Sequence, residues 1–266
     1  MKTLEYTFDT TVEFSDEVRD HAFVLRCQPR RDEGIVVVKS DLQIDPEMRF
    51  TRQRDSFGNE LAIGRMREPH DRIGYHSKGI VRIDLTTNRA MLIHPLFKYP
   101  SPLATPDDAI REWAHELGFV HEVFYQSPEE RFSQIQRLSQ EIHDRMAYEP
   151  GSTSVNTTAA EAFAAKCGVC QDFAHIMVTV LRDAGVPSRY VSGLAVGQGT
   201  THAWVQAYVG NRWHGFDPTR NVLVDETYIP IAIGRDWSDC PVERGSFWGL
   251  VDQTQTVFMT VREIDG

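Results

Sequence analysis

The 266-residue sequence predicts an α+β protein, in which an all-β, sandwich-like unit over residues 1–97 precedes a helix-and-sheet unit over residues 98–266. Three observations carry that prediction. Up to about Pro95, apolar residues cluster in short β-rich stretches separated by Gly, Asp, Asn and Pro, with no helical period. The segment Lys98-Tyr99-Pro100-Ser101-Pro102-Leu103-Ala104-Thr105-Pro106 then interrupts the chain as a stiff linker. Beyond it, helical periodicity sets in and later gives way to a β-rich meander ending near Asp217.

In the first unit, strands are expected at residues 4–8, 21–25, 34–44, 61–63 and 79–85, and the unit reads as a scaffold for the second. After the linker, residues 107–117 and 127–146 read as amphipathic helices. The second has Ser127 as cap, Pro128 at its first position, and Phe132, Ile135, Leu138, Ile142 and Met146 on one stripe. Residues 157–165 read as a short, capped, Ala-rich helix. Next, Val169, Phe173, Ile176, Met177, Val180, Leu181 and Ala184 recur at three- and four-residue steps until Gly185-Val186-Pro187 stops the helix. Cys170 is therefore a first-turn residue, where unpaired amides and the helix dipole favour a thiolate. Gly168 lets the backbone turn into that helix with no Cβ in the way.

Residues 189–196 are β-rich, Gly197-Gln198-Gly199 is a turn, and residues 202–209 and 213–217 flank Gly210-Asn211. With a two-residue hairpin loop, Val209 opposes Arg212 and Trp204 opposes Asp217. His202 shares the face of Trp204, so Asp217 lies diagonal to it at roughly 7–8 Å by Cα. A three-residue loop would break this parity.

Cys170, His202 and Asp217 thus supply a nucleophile, a base and an orienting carboxylate, the set that acyl transfer requires. Each alone has a plainer reading, as a small buried hydrophobe, a satisfied strand histidine and a turn opener; their joint occurrence points to catalysis. His175 and His214 fit no role and read as packing or surface residues. The spacing Cys167-Gly168-Val169-Cys170 raises two rivals. A thioredoxin-like oxidoreductase shows its dithiol at a helix start, but a strand precedes it there and a short helix precedes it here. Zinc needs four ligands, and no second CxxC or HxxxH accompanies the pair. No calcium-loop pattern occurs either, and no metal or other cofactor is expected. Oxidation to a Cys167–Cys170 disulfide would silence the nucleophile.

The stretches Lys166-Cys167-Gly168-Val169-Cys170-Gln171-Asp172-Phe173-Ala174-His175, Gly185-Val186-Pro187-Ser188-Arg189-Tyr190-Val191-Ser192-Gly193, His202-Ala203-Trp204-Val205 and Phe216-Asp217-Pro218-Thr219 closely resemble the core of bacterial transglutaminase-like cysteine proteases, over roughly residues 148–218. Gly234-Arg235-Asp236-Trp237-Ser238-Asp239 resembles the loop such proteins carry after the core, and Arg54-Asp55-Ser56-Phe57-Gly58-Asn59 resembles their N-terminal β-domain. The resemblance implies a circularly permuted papain-like core, with the Cys helix packed on a small antiparallel sheet bearing His and Asp. It makes Cys170 the nucleophile, His202 the general base and Asp217 its orienter. It also places Arg235, Asp236 and Asp239 near the cleft mouth, where they would select substrate ends by charge.

The expected activity is cysteine-dependent acyl transfer on a peptide or protein amide through a Cys170 thioester. Hydrolysis is expected over transfer to an amine, because water is the acceptor unless a site excludes it. The Cys170 amide supplies one oxyanion donor, and the second is open between Tyr148 and Gln171. Trp204, Trp213, Trp237 and Trp248 line an aromatic cleft or belong to the core. A binding module with an idle site is the competing class, and the intact Cys, His and Asp set argues against it.

Composition narrows the setting. With 41% hydrophobic and 25% charged residues the chain is ordinary for a soluble globular protein, and its formal charge of −10 disfavours nucleic acid. No run of eighteen apolar residues suggests a membrane span. Four scattered Cys and the absence of a secretory pattern in Met1-Lys2-Thr3-Leu4-Glu5-Tyr6 point to the cytoplasm. The cation runs at residues 26–31 and 49–54 read as solvated faces.

Overall fold

The computed structural model of the chain describes residues 1–32, 34–87, 93–119 and 127–265. The chain begins with β1 (Lys2–Leu25), β2 (Ile35–Asp45), β3 (Thr51–Arg54), β4 (Glu60–Met66) and β5 (His70–Ile83). Then come α1 (Asp108–Glu116), α2 (Pro128–Arg145), β6 (Ala147–Tyr148), α3 (Ala159–Ala165), β7 (Cys167–Gly168) and α4 (Cys170–Asp183). It continues through β8 (Ser188–Ala195), β9 (Gly197–Gly199), β10 (His202–Val209), β11 (Arg212–Asp217), β12 (Val222–Leu223) and β13 (Tyr228–Gly234), and ends with β14 (Glu243–Trp248) and β15 (Gln253–Ile264).

The expected strands at residues 4–8 and 21–25 are two halves of one 24-residue strand, β1. Leu4, Tyr6, Phe8 and Val12 bury even positions, whereas Phe23 and Leu25 bury odd ones. An irregularity between Glu13 and Val18, together with Asp20 at φ 51°, resets the face. The first half of β1 therefore lies between β5 and β15, and the second half between β4 and β14. One strand serves both layers, and both halves feed a single core. The division expected at residues 97 and 98 misses this return: residues 243–264 complete the N-terminal unit, because strand partners are set by edge availability and not by order along the chain.

In the second unit α4 is central. Residues 171–182 are all buried, not one stripe, because α1, α2 and α3 pack on one side and the antiparallel sheet β12-β11-β10-β8-β13 on the other. Ser127 caps α2 and Pro128 stands at its start, as the sequence reads, and Glu130 completes a capping box. Gly210 and Asn211 have φ of 56° and 63°, the two positive values of a type I′ turn, and Val209 opposes Arg212.

The two units share contacts beyond the linker. After β8 the chain leaves the five-stranded sheet, pairs β9 with β15, and returns at His202. Leu194, Ile229 and Ile231 enter the sandwich core. Asn59 is sealed from solvent and bonds both the amide and the carbonyl of Ile233, each at 2.8 Å. Arg30 also binds Asn59 and is buried, and Arg26 is half-buried against Asp55, so of the cations at residues 26–31 only Arg31 has the expected solvated setting. Among the described residues no helix is long and apolar enough to cross a membrane.

Candidate active site

Cys170 is presented by the start of α4. The parallel bridge between β6 and β7 pairs Tyr148 with Gly168 and fixes the approach to the helix. A Cβ on Gly168 would lie 2.5 Å from Asp172 Oδ2, so this position excludes any side chain. Asp172 Oδ2 accepts the Val169 N–H at 2.8 Å and the Thr153 hydroxyl at 2.7 Å. Burial pushes the Asp172 carboxyl up, against these bonds. Cys170 itself is partly buried and forms no disulfide.

His202 reaches the same point from β10. Its Nε2 lies 2.7 Å from Asp217 Oδ2 across the hairpin, and the ring also lies near enough to the Cys170 side chain to feel its charge. With Nε2 held by the carboxylate, Nδ1 is the nitrogen left for the sulfur. Trp204 backs the imidazole in a stacked arrangement, with ring centroids 6.4 Å apart. Asp217 is fully buried, and its Oδ1 accepts the amides of Thr219 and Arg220, both at 3.1 Å. Burial opposes the charge on His202, but its bond to Asp217 and the nearby Cys170 outweigh that effect and raise it to about 9. Burial likewise opposes the charge on Asp217, and His202 overcomes it, holding the carboxyl below its usual value.

Of the other residues singled out in the sequence, only Tyr148 borders this cluster as an open side chain. It is 55% exposed, and its phenol feels both Cys170 and Arg220. Gln171 is turned inward, donating its amide to Val155 O at 3.3 Å. Trp204 and Trp213 are buried on the sheet face away from α4, Trp248 is exposed on the N-terminal unit, and Trp237 packs on the helical core, so the four tryptophans line no common cleft. Arg235 is paired with Asp239 through bonds of 2.8 and 2.9 Å, and Asp236 is fully buried, accepting the amides of Ser238 and Leu103. Arg235 and Asp239 thus pair with each other, while the buried charge of Asp236 faces Arg182 and His175 of α4. His175 is internal, its Nε2 accepting the Trp237 amide at 3.1 Å.

Two contributors were missed in the sequence. Tyr228 donates its hydroxyl to Asp217 Oδ2 at 2.8 Å, and Arg220 donates to Tyr228 Oη at 3.2 Å. Arg220 follows the Asp-Pro turn closely enough to have been noticed; nothing local marks Tyr228. Among the described residues no group of three or more His, Cys, Asp or Glu is arranged to hold a metal ion.

The model of the transglutaminase-like superfamily matches residues 119–218, and that of the bacterial transglutaminase-like N-terminal region matches residues 4–82. An uncharacterised protein of Mycobacterium leprae is 29% identical over 247 residues, covering 84% of this chain and 85% of its own. A second, from Mycobacterium bovis, is 29% identical over 276 aligned positions, covering 90% and 85%. The crystal structure of a candidate cysteine protease from Cytophaga hutchinsonii aligns with a TM-score of 0.80 over 100% of this chain and 91% of that one; at 22% identity the likeness is one of fold. With its β-rich region and its Cys-helix region matched in the order in which they occur here, the chain carries a transglutaminase-like core preceded by a bacterial transglutaminase-like N-terminal region.

Proposed function

We propose that the protein is a cysteine-dependent acyl-transfer enzyme acting on amide bonds of peptides or proteins, with hydrolysis as the net reaction. The observation that supports this most is the position of His202 between the Asp217 carboxylate and the Cys170 sulfur. His202 takes the thiol proton, and a carboxylate already stripped of water by burial stabilises the imidazolium. The thiolate adds to the carbonyl carbon, and charge develops on oxygen. The Cys170 amide in the first turn of α4 and the Tyr148 phenol receive that charge. His202 then protonates the departing nitrogen, the C–N bond breaks, and the acyl group remains on sulfur as a thioester. Water, giving a proton to His202, attacks the thioester and releases the carboxylic acid as the sulfur departs. The exposed rim, with Tyr148 at 55% and the Arg220 side chain at 46%, leaves the thioester open to water. A reducing compartment, the cytoplasm, suits a nucleophile whose near neighbour Cys167 is also a free thiol.

The test is digestion of a peptide library by the parent and by Cys170→Ser, with a primary amine present. New carboxyl termini that depend on Cys170 support hydrolysis. Amine-capped products alone would replace hydrolysis with transamidation, and the absence of both would count against acyl transfer.

A further inference from the structure

Tyr228 reaches Asp217 from β13, an edge strand brought to the site only by its pairing with β8, where Tyr228 faces Ala195. Its oxygen lies 2.8 Å from Asp217 Oδ2 and 3.2 Å from Arg220 Nη1. A guanidinium can only donate, so the phenol oxygen accepts from Arg220 and its single proton is committed to Oδ2. Oδ2 therefore carries two donors, Tyr228 and His202, while Oδ1 carries two backbone amides. The amides already fix where the carboxylate sits. What the phenol adds falls on the oxygen that faces the imidazole.

We propose that Tyr228, oriented by Arg220, is a positioning residue that draws charge from Asp217 Oδ2 and so keeps the Asp217–His202 pair a weak enough base for the imidazolium to release its proton to the leaving nitrogen; this holds on the acyl-transfer reading of Cys170, His202 and Asp217. A carboxylate with one donor fewer is the stronger base and grips an imidazolium harder. That imidazolium would be a poorer acid when the amine departs, yet no worse a partner for the thiolate. The charged and titratable groups facing the pair are Cys170 from α4, Asp217 from β11 and Arg220 from the turn after it, with Tyr148 of β6 across the sulfur.

The decisive variant is Tyr228→Phe, read by NMR titration of the His202 side chain with His202→Gln for assignment, alongside kcat, KM and the melting temperature. The His202 midpoint is expected to rise by roughly half to one pH unit, the scale of the net worth of one ordinary hydrogen bond. Amide kcat should fall about tenfold with KM nearly unchanged, while iodoacetamide labelling of Cys170 at neutral pH stays within about twofold. A midpoint that stays or falls overturns the proposal, whatever happens to the melting temperature. Should Tyr228→Phe not fold, Arg220→Gln carries the same sign: it removes a cation 3.9 Å from Oδ2 and frees the phenol proton, so the midpoint should again rise, and a fall or no change overturns the proposal. The titration needs no substrate. Failure to turn over any amide would count against acyl transfer while leaving the effect of Tyr228 on His202 decided by the titration.

Discussion

Asp172 and Val169 hold each other reciprocally: Asp172 Oδ2 accepts the Val169 N–H at 2.8 Å, and the Asp172 N–H is donated to Val169 O at 2.8 Å. Val169 has no polar side chain, so the helix bearing Cys170 is capped by its own third residue. Asp172→Ala should therefore destabilise the protein by roughly 1–2 kcal/mol and slow Cys170 alkylation, because the turn presenting the sulfur frays. Asp172→Asn keeps an acceptor and should cost less. Melting curves and labelling rates check both; equal effects of the two variants would show that the carboxylate matters for something other than capping.

Labelling should also separate the cysteines. Burial pushes the Cys27 thiol up to about 12 and raises Cys240 well above its usual value. Cys170 meets solvent at the site and interacts electrostatically with His202. Near pH 6–7 it should take iodoacetamide about a hundredfold faster than either buried thiol, and His202→Ala should slow it about tenfold. Peptide mapping by mass spectrometry gives the rates, and equal labelling at all three sites would remove the basis for an activated nucleophile.

Asp217→Asn should leave the fold and KM nearly intact while lowering kcat by about 10²–10⁴-fold, because the Thr219 and Arg220 amides hold the carboxamide oxygen and turn its NH2 toward His202, where it accepts no imidazole proton. The variant keeps the shape that accepts the Thr219 and Arg220 amides. Unchanged turnover would reduce Asp217 to a turn residue.

This pairing of His202 with Asp217 was legible because a hairpin with a two-residue loop has only one parity, and Gly210-Asn211 is a pair that tolerates positive φ at both positions. The caps of α2 and α3 were legible for the same reason: their chemistry lies within four residues. Tyr228 was not, since it joins the site through β13 pairing with β8, a contact between strands that are not consecutive in the chain. The return of β14 and β15 to β1 was hidden likewise. For Trp204, cleft and core stayed open, and Asp236 was expected at the cleft mouth, because a sequence shows residue type but not depth; both are fully buried.

Stability should depend on pH in opposite senses at two histidines. His202 is raised to about 9 in the fold, so its contribution is fully present below the unfolded value of about 6.5 and is lost as pH rises through about 9. Burial holds His175 well below its usual value, with Nε2 accepting the Trp237 amide; its contribution is present above about 6.5 and is lost as pH falls from there. Melting temperatures from pH 4 to 10 should show His202→Gln flattening the alkaline side and His175→Gln the acid side. The alkaline limb of kcat/KM should lie near 9, where the imidazolium is lost.

Cys167 and Cys170 lie three residues apart, on β7 and at the start of α4, but should behave differently when removed. Cys167 is paired with Ala147, and neither of the interactions that define the site reaches it. Cys167→Ala should therefore keep amide turnover within about twofold in reducing buffer. It should also lose any reversible inactivation by peroxide, because no partner remains to form a disulfide with Cys170. Cys170→Ala should abolish turnover in every buffer, since no other group can carry the acyl intermediate. A dithiol oxidoreductase behaves otherwise and loses its redox cycle with either cysteine. Amide cleavage and insulin-disulfide reduction measured side by side for both variants separate the two: retained cleavage in Cys167→Ala supports acyl transfer at Cys170, and disulfide reductase activity in the parent would overturn it.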